Sequence, residues 1–297
     1  MLGTLPPFEY RKVISLREAL AFMEKRGKVY PYAGGTDLLV ALKNGEAKPQ
    51  VLLDVKALPE LGSVRQQNGW ISLGAAVSVR ALARSALIRE RYSVLAQALK
   101  ILGSTQIANR ATLGGNLCNA SPAADSAPPL LALDARVRLA GLKGNRDLPL
   151  AEFFLGPNKT ALKRELLTEI LIPPAPAPGR GLFSKLGSRS APEDIAIVSV
   201  AAFVVPDRAG NRWQEARIAL GAVGPAPMRA RYAEEALVGQ PISGQSIRDA
   251  SRVAAEKDAQ PISDIRASAG YRRAMVEVLL TRALEHLASE IVQGAAR

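Results

Sequence analysis

Residues 28–43, KVYPYAGGTDLLVALK, set the terms on which this chain is read. Residues 28–33 form a short run rich in valine and tyrosine, which predicts a buried strand. Gly34 and Gly35 break that run, and an apolar helix is predicted to start over residues 38–43. Glycine tolerates positive φ and lets a ligand come close to the backbone. Successive N–H groups in such a turn make an anion-binding nest, and a following helix adds its positive end. A second pair of glycines stands in Thr112-Leu113-Gly114-Gly115-Asn116-Leu117, after a helical stretch. One Gly-Gly pair signals no more than a tight turn. Two of them, with Thr36, Asp37 and Asn116 alongside, favour a ligand with two phosphates. Each hydrogen bond to a charged group contributes roughly 1.5–3 kcal/mol. Neither turn matches G-x-G-x-x-G or a P-loop. HExxH and GxSxG are absent, which disfavours the common zinc and serine hydrolase designs.

Outward from these turns, residues 50–55, 70–75, 136–139 and 166–172 read as strands. Ser78 is suited to cap a short helix. Residues 92–102 place Val94, Leu95, Ala98, Leu99 and Leu102 at helical spacing. Residues 173–181, PPAPAPGRG, mark a boundary, because their prolines block both helix and central strand. Beyond it, residues 196–205 and 216–223 read as strands, then 229–237, 246–257 and 268–292 as helices. Strands followed by helices predict an α+β domain.

A chain of 297 residues corresponds to about two domains. It can bury roughly three quarters of its unfolded surface, so it needs no disulfide or metal staple. Cys118 and His286 are the only cysteine and histidine. An internal disulfide is excluded, as is a four-cysteine iron–sulfur cluster, and no metal site is expected. Cys118 is expected to be a small buried hydrophobe, and His286 to be structural within the C-terminal helix. No catalytic side chain is expected. The net charge of +12 lies mostly before residue 176 and suits an anionic ligand or partner. Zinc-finger and RNP-like signatures are missing, so nucleic acid is not expected. The N-terminus lacks a signal-peptide pattern and the apolar run 195–205 is too short to span a bilayer, so a cytoplasmic protein is expected.

Several stretches together resemble the FAD-binding subunits of molybdenum hydroxylases, the xanthine dehydrogenase and aerobic carbon monoxide dehydrogenase type. They are YAGGTDLL (32–39), QIANRATLGGNLCNASPAADSAPPLLALDA (106–135), TEILIP (168–173), FSKLGSR (183–189), EDIAIVSVAA (193–202), ARIALGAVGPAPMRA (216–230) and DIRASAGYRRAMVEVLLTRAL (264–284). The resemblance covers nearly the whole chain. It implies an α+β protein with a two-lobed FAD-binding domain of the vanillyl-alcohol oxidase (PCMH) type over residues 1–175, with lobes of about 1–57 and 58–175. A small α+β domain of the carbon monoxide dehydrogenase flavoprotein type follows over 176–297. It also implies that Ala33, Gly34, Gly35, Thr36 and Asp37 line the FAD phosphates, with Thr112, Gly114, Gly115 and Asn116 on the other side. Asp125 would contact the polar part of FAD, and Leu167 and Lys185 would lie near the isoalloxazine ring.

The resemblance further implies noncovalent FAD as the cofactor of this chain. The molybdenum cofactor would sit in a large subunit and 2Fe-2S clusters in a small subunit, the whole forming a dimer of heterotrimers. Electrons would pass from those clusters through FAD to a terminal acceptor, for which NAD is one candidate. A stand-alone FAD-dependent oxidase or reductase of the same fold is the alternative. Many relatives have an aromatic residue against the flavin where this chain has Ile195, after Glu193-Asp194. The hydroxylated substrate is not legible here, since its pocket would belong to another chain.

Overall fold

A computed structural model describes residues 5–24, 27–189, 191 and 193–295. Strands Glu9–Lys12, Val51–Asp54 and Val29–Tyr32 form a parallel sheet, with Val51–Asp54 in the centre. Parallel neighbours need crossover connections, which helices Leu16–Glu24 and Leu38–Lys43 supply. The strand expected over 28–33 is present at Val29–Tyr32, with the glycine turn directly after it, but it is not buried: three of its residues are half-buried and Pro31 is exposed, because it is an edge strand of the sheet.

A second sheet is antiparallel throughout. Its order is Val64–Gln67, Trp70–Gly74, Leu166–Ile172, Arg136–Gly141 and Gly144–Pro149. Asn68 and Gly69 close the first hairpin with φ of 50° and 78°, the pairing that a two-residue hairpin turn favours. The central strand Leu166–Ile172 is buried along its length. Glu169 on this strand is bonded by Arg65 and by Arg138, the latter at 2.9 Å. Burial works against its charge, but bonds from Ser72, Arg65 and Arg138 hold its carboxyl below the ordinary glutamate range.

The third sheet runs Arg180–Gly187, Ala196–Pro206, Trp213–Gly221 and Met228–Arg229, all antiparallel. Strand Ala196–Pro206 is buried at every position, which accounts for the long apolar run in the sequence. Its side chains alternate between two cores. Ala201, Phe203 and Val205 join the core of the second sheet and its helices. Val200, Ala202 and Val204 join a C-terminal core with Leu280, Leu284 and Leu287 of helix Ala269–Ala295. No helix among the described residues is long and apolar enough to cross a membrane.

Helix Ala127–Ala132 is the piece that ties these bodies together. It is fully buried, with Pro128 and Pro129 in its first turn, where their missing N–H groups are not needed. It packs on strands Ala196–Pro206 and Trp213–Gly221. Just beyond it, Asp134 is ion-paired with Arg229 and, at 3.1 Å, with Arg217, both from the third sheet. Arg229 also pairs with the buried Glu234 at a bond to its second oxygen of 2.9 Å. Leu130→Ala is expected to destabilise the protein by about 2–5 kcal/mol, the usual range for a truncated buried leucine. Urea unfolding read on both the second sheet and the third sheet should show a lowered midpoint in each. A midpoint unchanged from wild type would contradict the joining role of this helix.

Candidate functional site

The ends of all three sheets converge on a cleft of about 770 Å³, within the range of small-molecule sites. Ala33, Gly34, Gly35, Thr36 and Asp37 line it from the first sheet. Gly35 has φ +77°, and a Cβ there would meet the Tyr32 ring at 2.5 Å. A Cβ on Gly34 would lie 2.3 Å from the carbonyl oxygen of Arg110. Both glycines are therefore obligatory, one for its dihedral and its neighbour, the other for a backbone-to-backbone contact. Among the described residues, the N–H groups of Gly34, Gly35, Thr36 and Asp37 have no protein acceptor, while the carbonyls of Gly35 and Asp37 accept from Leu39 and Ala41. Burial pushes the Asp37 carboxyl above its ordinary value.

Tyr32, which carries this turn, is itself held. Lys56 stands 3.9 Å over its ring, Tyr10 packs edge-on, and Asp54 binds both Lys56 and the Tyr10 hydroxyl. Sequence reasoning missed this support, because nothing in the spacing of Tyr10, Tyr32, Asp54 and Lys56 shows that parallel pairing brings them to one place.

The second glycine pair differs from expectation. Gly114 and Gly115 are in the first turn of helix Leu113–Asn119, and neither has positive φ. Thr112 is the N-cap, and its Oγ1 accepts from the Gly115 N–H at 3.1 Å. The Leu113 N–H donates to Val77 and the Gly114 N–H to Ala75. These donors are thus engaged within the protein. Gly114 is required for contact, since a Cβ would lie 2.5 Å from that of Ala75. Thr112, Gly114, Gly115 and Asn116 all line the cleft, as expected, but what this segment leaves to a ligand is side chains more than backbone donors. The Asn116 oxygen is taken by the Ser126 hydroxyl at 2.6 Å, so its amide NH₂ is the group left to donate.

Leu167 lines the cleft from the central strand of the second sheet. The pairing shifts between Leu167 and Glu169, a bulge of the kind that re-aims a side chain. Asp125 also lines the cleft and is buried. Its Oδ2 accepts from Lys185 Nζ at 2.7 Å, and its Oδ1 has no partner. Burial pushes the Asp125 carboxyl up to about 6, with Lys185 opposing part of that rise. Lys185 is not on the cleft wall; it stands behind Asp125. Glu193, Asp194 and Ile195, in the turn that leads into strand Ala196–Pro206 of the third sheet, complete the wall. Asp194 is fixed by Arg189, including a bond to the Arg189 N–H at 2.6 Å, and Ile195 is exposed.

Cys118 is a correction. It is exposed and lines the cleft; it is not a core hydrophobe. Even so, desolvation by the surrounding protein pushes its thiol up to about 12, which favours the neutral form. His286 lies exposed on helix Ala269–Ala295, 3.4 Å from Glu290, and away from the cleft. No group of three or more metal-ligating side chains occurs among the described residues.

Residues 6–175 match the family model described as the FAD binding domain in molybdopterin dehydrogenase, and residues 184–287 match the CO dehydrogenase flavoprotein C-terminal domain. The chain belongs to this family. Among its relatives is the glyceraldehyde dehydrogenase medium chain of Sulfolobus acidocaldarius, 32% identical, with 95% of this chain and 99% of the relative covered. The xanthine dehydrogenase FAD-binding subunit of Escherichia coli O157:H7 is 30% identical, with 96% of each chain covered. A solved carbon monoxide dehydrogenase of Hydrogenophaga pseudoflava, a form lacking the Mo-pyranopterin moiety of its cofactor, superposes with a TM-score of 0.90 at 31% identity. That match covers 95% of this chain and 98% of that one. The protein is thus the FAD-binding medium subunit of an oxidoreductase of the molybdenum hydroxylase class. The stand-alone enzyme that the sequence left as an alternative is not what these matches describe.

The cleft fits FAD on its own chemistry. Free N–H groups suit phosphate, an unpartnered buried carboxylate oxygen suits a hydroxyl or N–H donor, and the remaining wall is largely apolar. Gly35→Val is expected to weaken FAD binding by about tenfold or more, since it disturbs both the positive φ and the Tyr32 contact. Gly115→Ala should weaken it less, because its new Cβ meets only Thr112 Oγ1, at 2.8 Å. Gly45→Ala is the control: its φ of +73° is equally unusual, but it has no neighbour within 4 Å and lies off the cleft. FAD titration of apo-protein tests the order. Equal affinity for Gly35→Val and Gly45→Ala would contradict the nest.

Proposed function

We propose that this chain divides at about residue 175 into a cofactor domain, with lobes of about 1–57 and 58–175, and a C-terminal domain, 176–297. FAD then lies in the cleft, held noncovalently, with its pyrophosphate on the N–H groups of Gly34, Gly35, Thr36 and Asp37. Ala33 shapes that turn. Thr112 caps the facing helix, Gly114 lets it approach, Gly115 leaves its end open, and the Asn116 amide donates to the cofactor. Leu167 and Ile195 present apolar surface to the flavin ring, and Asp125 accepts from a polar group of the cofactor. When bound, FAD supplies the redox chemistry, accepting electrons one at a time and delivering a pair. The residues of this chain bind and orient it.

The observation that carries this reading is the row of four unengaged N–H groups beside an obligatory Gly34–Gly35 turn. In the cell, the chain works beside a small subunit with 2Fe-2S clusters and a large molybdopterin-binding subunit, as a dimer of heterotrimers in the cytoplasm. NAD is one candidate for the terminal acceptor. The substrate is set by the large subunit. Relatives of about 30% identity are named for substrates as different as glyceraldehyde and xanthine, which fits a chain that handles electrons and not the substrate.

One observation favours the stand-alone alternative. Asp125 is in the cleft with its carboxyl near 6, a range useful for proton transfer at neutral pH. Against it, Lys185 holds one of its oxygens. The FAD-loaded single chain is expected to show no substrate oxidation at a rate approaching that of the complex. Comparable turnover by the chain alone would establish a self-contained flavin enzyme. Acid precipitation should also release the yellow cofactor, since the Cys118 thiol is neutral and His286 is remote. Colour left in the pellet would show covalent attachment.

A further inference from the structure

Lys185 is a buried cation, its side chain 3% exposed, that reaches neither solvent nor the cleft wall. It belongs to strand Arg180–Gly187 of the third sheet, and its one ion-pair partner among the described residues is Asp125, from the loop preceding helix Ala127–Ala132. Taking two charges out of water costs several kcal/mol per ion, and such a pair is seldom a source of net stability. Two apolar side chains would fill the same space more cheaply. The pair is also incomplete. Asp125 Oδ2 is satisfied, while Oδ1 is buried, without a partner, and carried by a residue on the cleft wall. A carboxylate with one oxygen clamped and the other left open is an acceptor set at a fixed angle.

The missing donor has restricted chemistry. A carboxylate repels phosphate, so the pyrophosphate is excluded, and a hydroxyl or N–H remains. Its location narrows the choice. Beyond Lys185, the same strand reaches Gly187, whose Cβ position lies 2.6 Å from Asp194, and Asp194 and Ile195 are the cleft wall. The free N–H groups stand on the other body, at residues 34–37. Asp125 therefore faces the half of the ligand that lies against the C-terminal sheet.

We propose that Lys185 is a positioning residue that acts on bound FAD only through Asp125, fixing the carboxylate so that Oδ1 accepts a hydrogen bond from the flavin half of the cofactor, either a polyol hydroxyl or the ring imide N–H. This rests on the FAD reading above. It departs from the expectation that Lys185 itself lies at the isoalloxazine ring. Because Lys185 belongs to the third sheet and Asp125 to the loop before helix Ala127–Ala132, the pair also makes cofactor affinity depend on the C-terminal domain being docked.

The test uses the full apo chain, titrated with FAD and separately with ADP, which keeps the phosphates and adenosine but lacks the flavin half. Asp125→Ala and Lys185→Met are each expected to weaken FAD by about tenfold or more. The double variant should be no weaker than Asp125→Ala, and ADP affinity should stay at the wild-type value throughout. A further loss on adding Lys185→Met to Asp125→Ala would mean that the lysine touches FAD directly, and would overturn the proposal. So would a parallel loss of ADP affinity. The doubly apolar variant Asp125→Leu with Lys185→Met guards against a mere folding defect: its thermal midpoint should stay near wild type while FAD remains weakly bound. Wild-type affinity in that variant would equally overturn the positioning role. Failure of the wild-type chain to take up FAD at all would sink the cofactor reading instead, a result distinct from FAD uptake that Lys185→Met leaves unchanged.

Discussion

At Gly34 the first sheet and the helical segment before Thr112 meet backbone to backbone, with room for no side chain between residue 34 and the Arg110 carbonyl. The cleft depends on this contact. It sets the turn so near the facing segment that Gly35 must take positive φ, and the chain then enters helix Leu38–Lys43 with its N–H groups at 34–37 unspent. The facing segment makes the opposite use of its backbone. The Leu113, Gly114 and Gly115 N–H groups are consumed in anchoring the helix to Val77, Ala75 and Thr112. Two similar glycine pairs thus have different tasks. One offers donors, and the other builds the surface against which those donors are held.

Rigidity behind the cleft comes from strand Ala196–Pro206, which supplies side chains to two cores at once. A strand buried on both faces cannot shift register without moving every side chain to the wrong core. Helix Ala127–Ala132 wedges onto the same sheet, and it lies between Asp125 and Asp134, each paired with a cation of the third sheet. The cofactor half and the C-terminal half are therefore joined by apolar packing with an ion pair at each end of one short helix.

Much of this was legible in the sequence, and the failures have physical causes. The strand at 29–32, the helix at 38–43, the Ser78 cap and the buried strands at 166–172 and 196–206 follow from runs whose periodicity survives because a core faces them. Strands Glu9–Lys12 and Val64–Gln67 are exposed at all four positions, so they have no apolar alternation to read. Strand Gly144–Pro149 is polar because its partners are charged: Arg138 holds Asp147 at 2.8 Å. Helix Ala127–Ala132 was hidden by its two prolines, which read as a loop unless they are placed in a first turn. Of the site residues, every one taken from the glycine pairs lines the cleft, as do Asp125 and Leu167. Lys185 does not, because a strand position fixes which residue is near a site and not what stands in front of it. Cys118 was misjudged from composition alone: cysteine is usually buried, but this one borders a cleft that no short-range pattern reveals.

The positive charge of the chain has a different destination from the one its composition suggests. With a net charge of +12, a cleft lined by arginine would be the obvious anion site. Yet among the described residues no arginine lines it and Lys163 is its one lysine, set beside Asp37, Asp125, Glu165, Glu193 and Asp194. Arginines are spent on pairs elsewhere, Arg65 and Arg138 on Glu169, Arg146 on Glu165, Arg229 on Glu234, and Arg272 on Asp264. In the proposed binding mode, anion recognition therefore falls to neutral backbone donors, whose geometry is fixed by Gly34 and Gly35. Such donors hold a phosphate by direction more than by net charge, so they discriminate by shape in a way that a basic surface does not. The acidic side chains of the cleft act in the same sense: they disfavour a second, misplaced phosphate and leave the turn at 34–37 as the place proposed for the pyrophosphate.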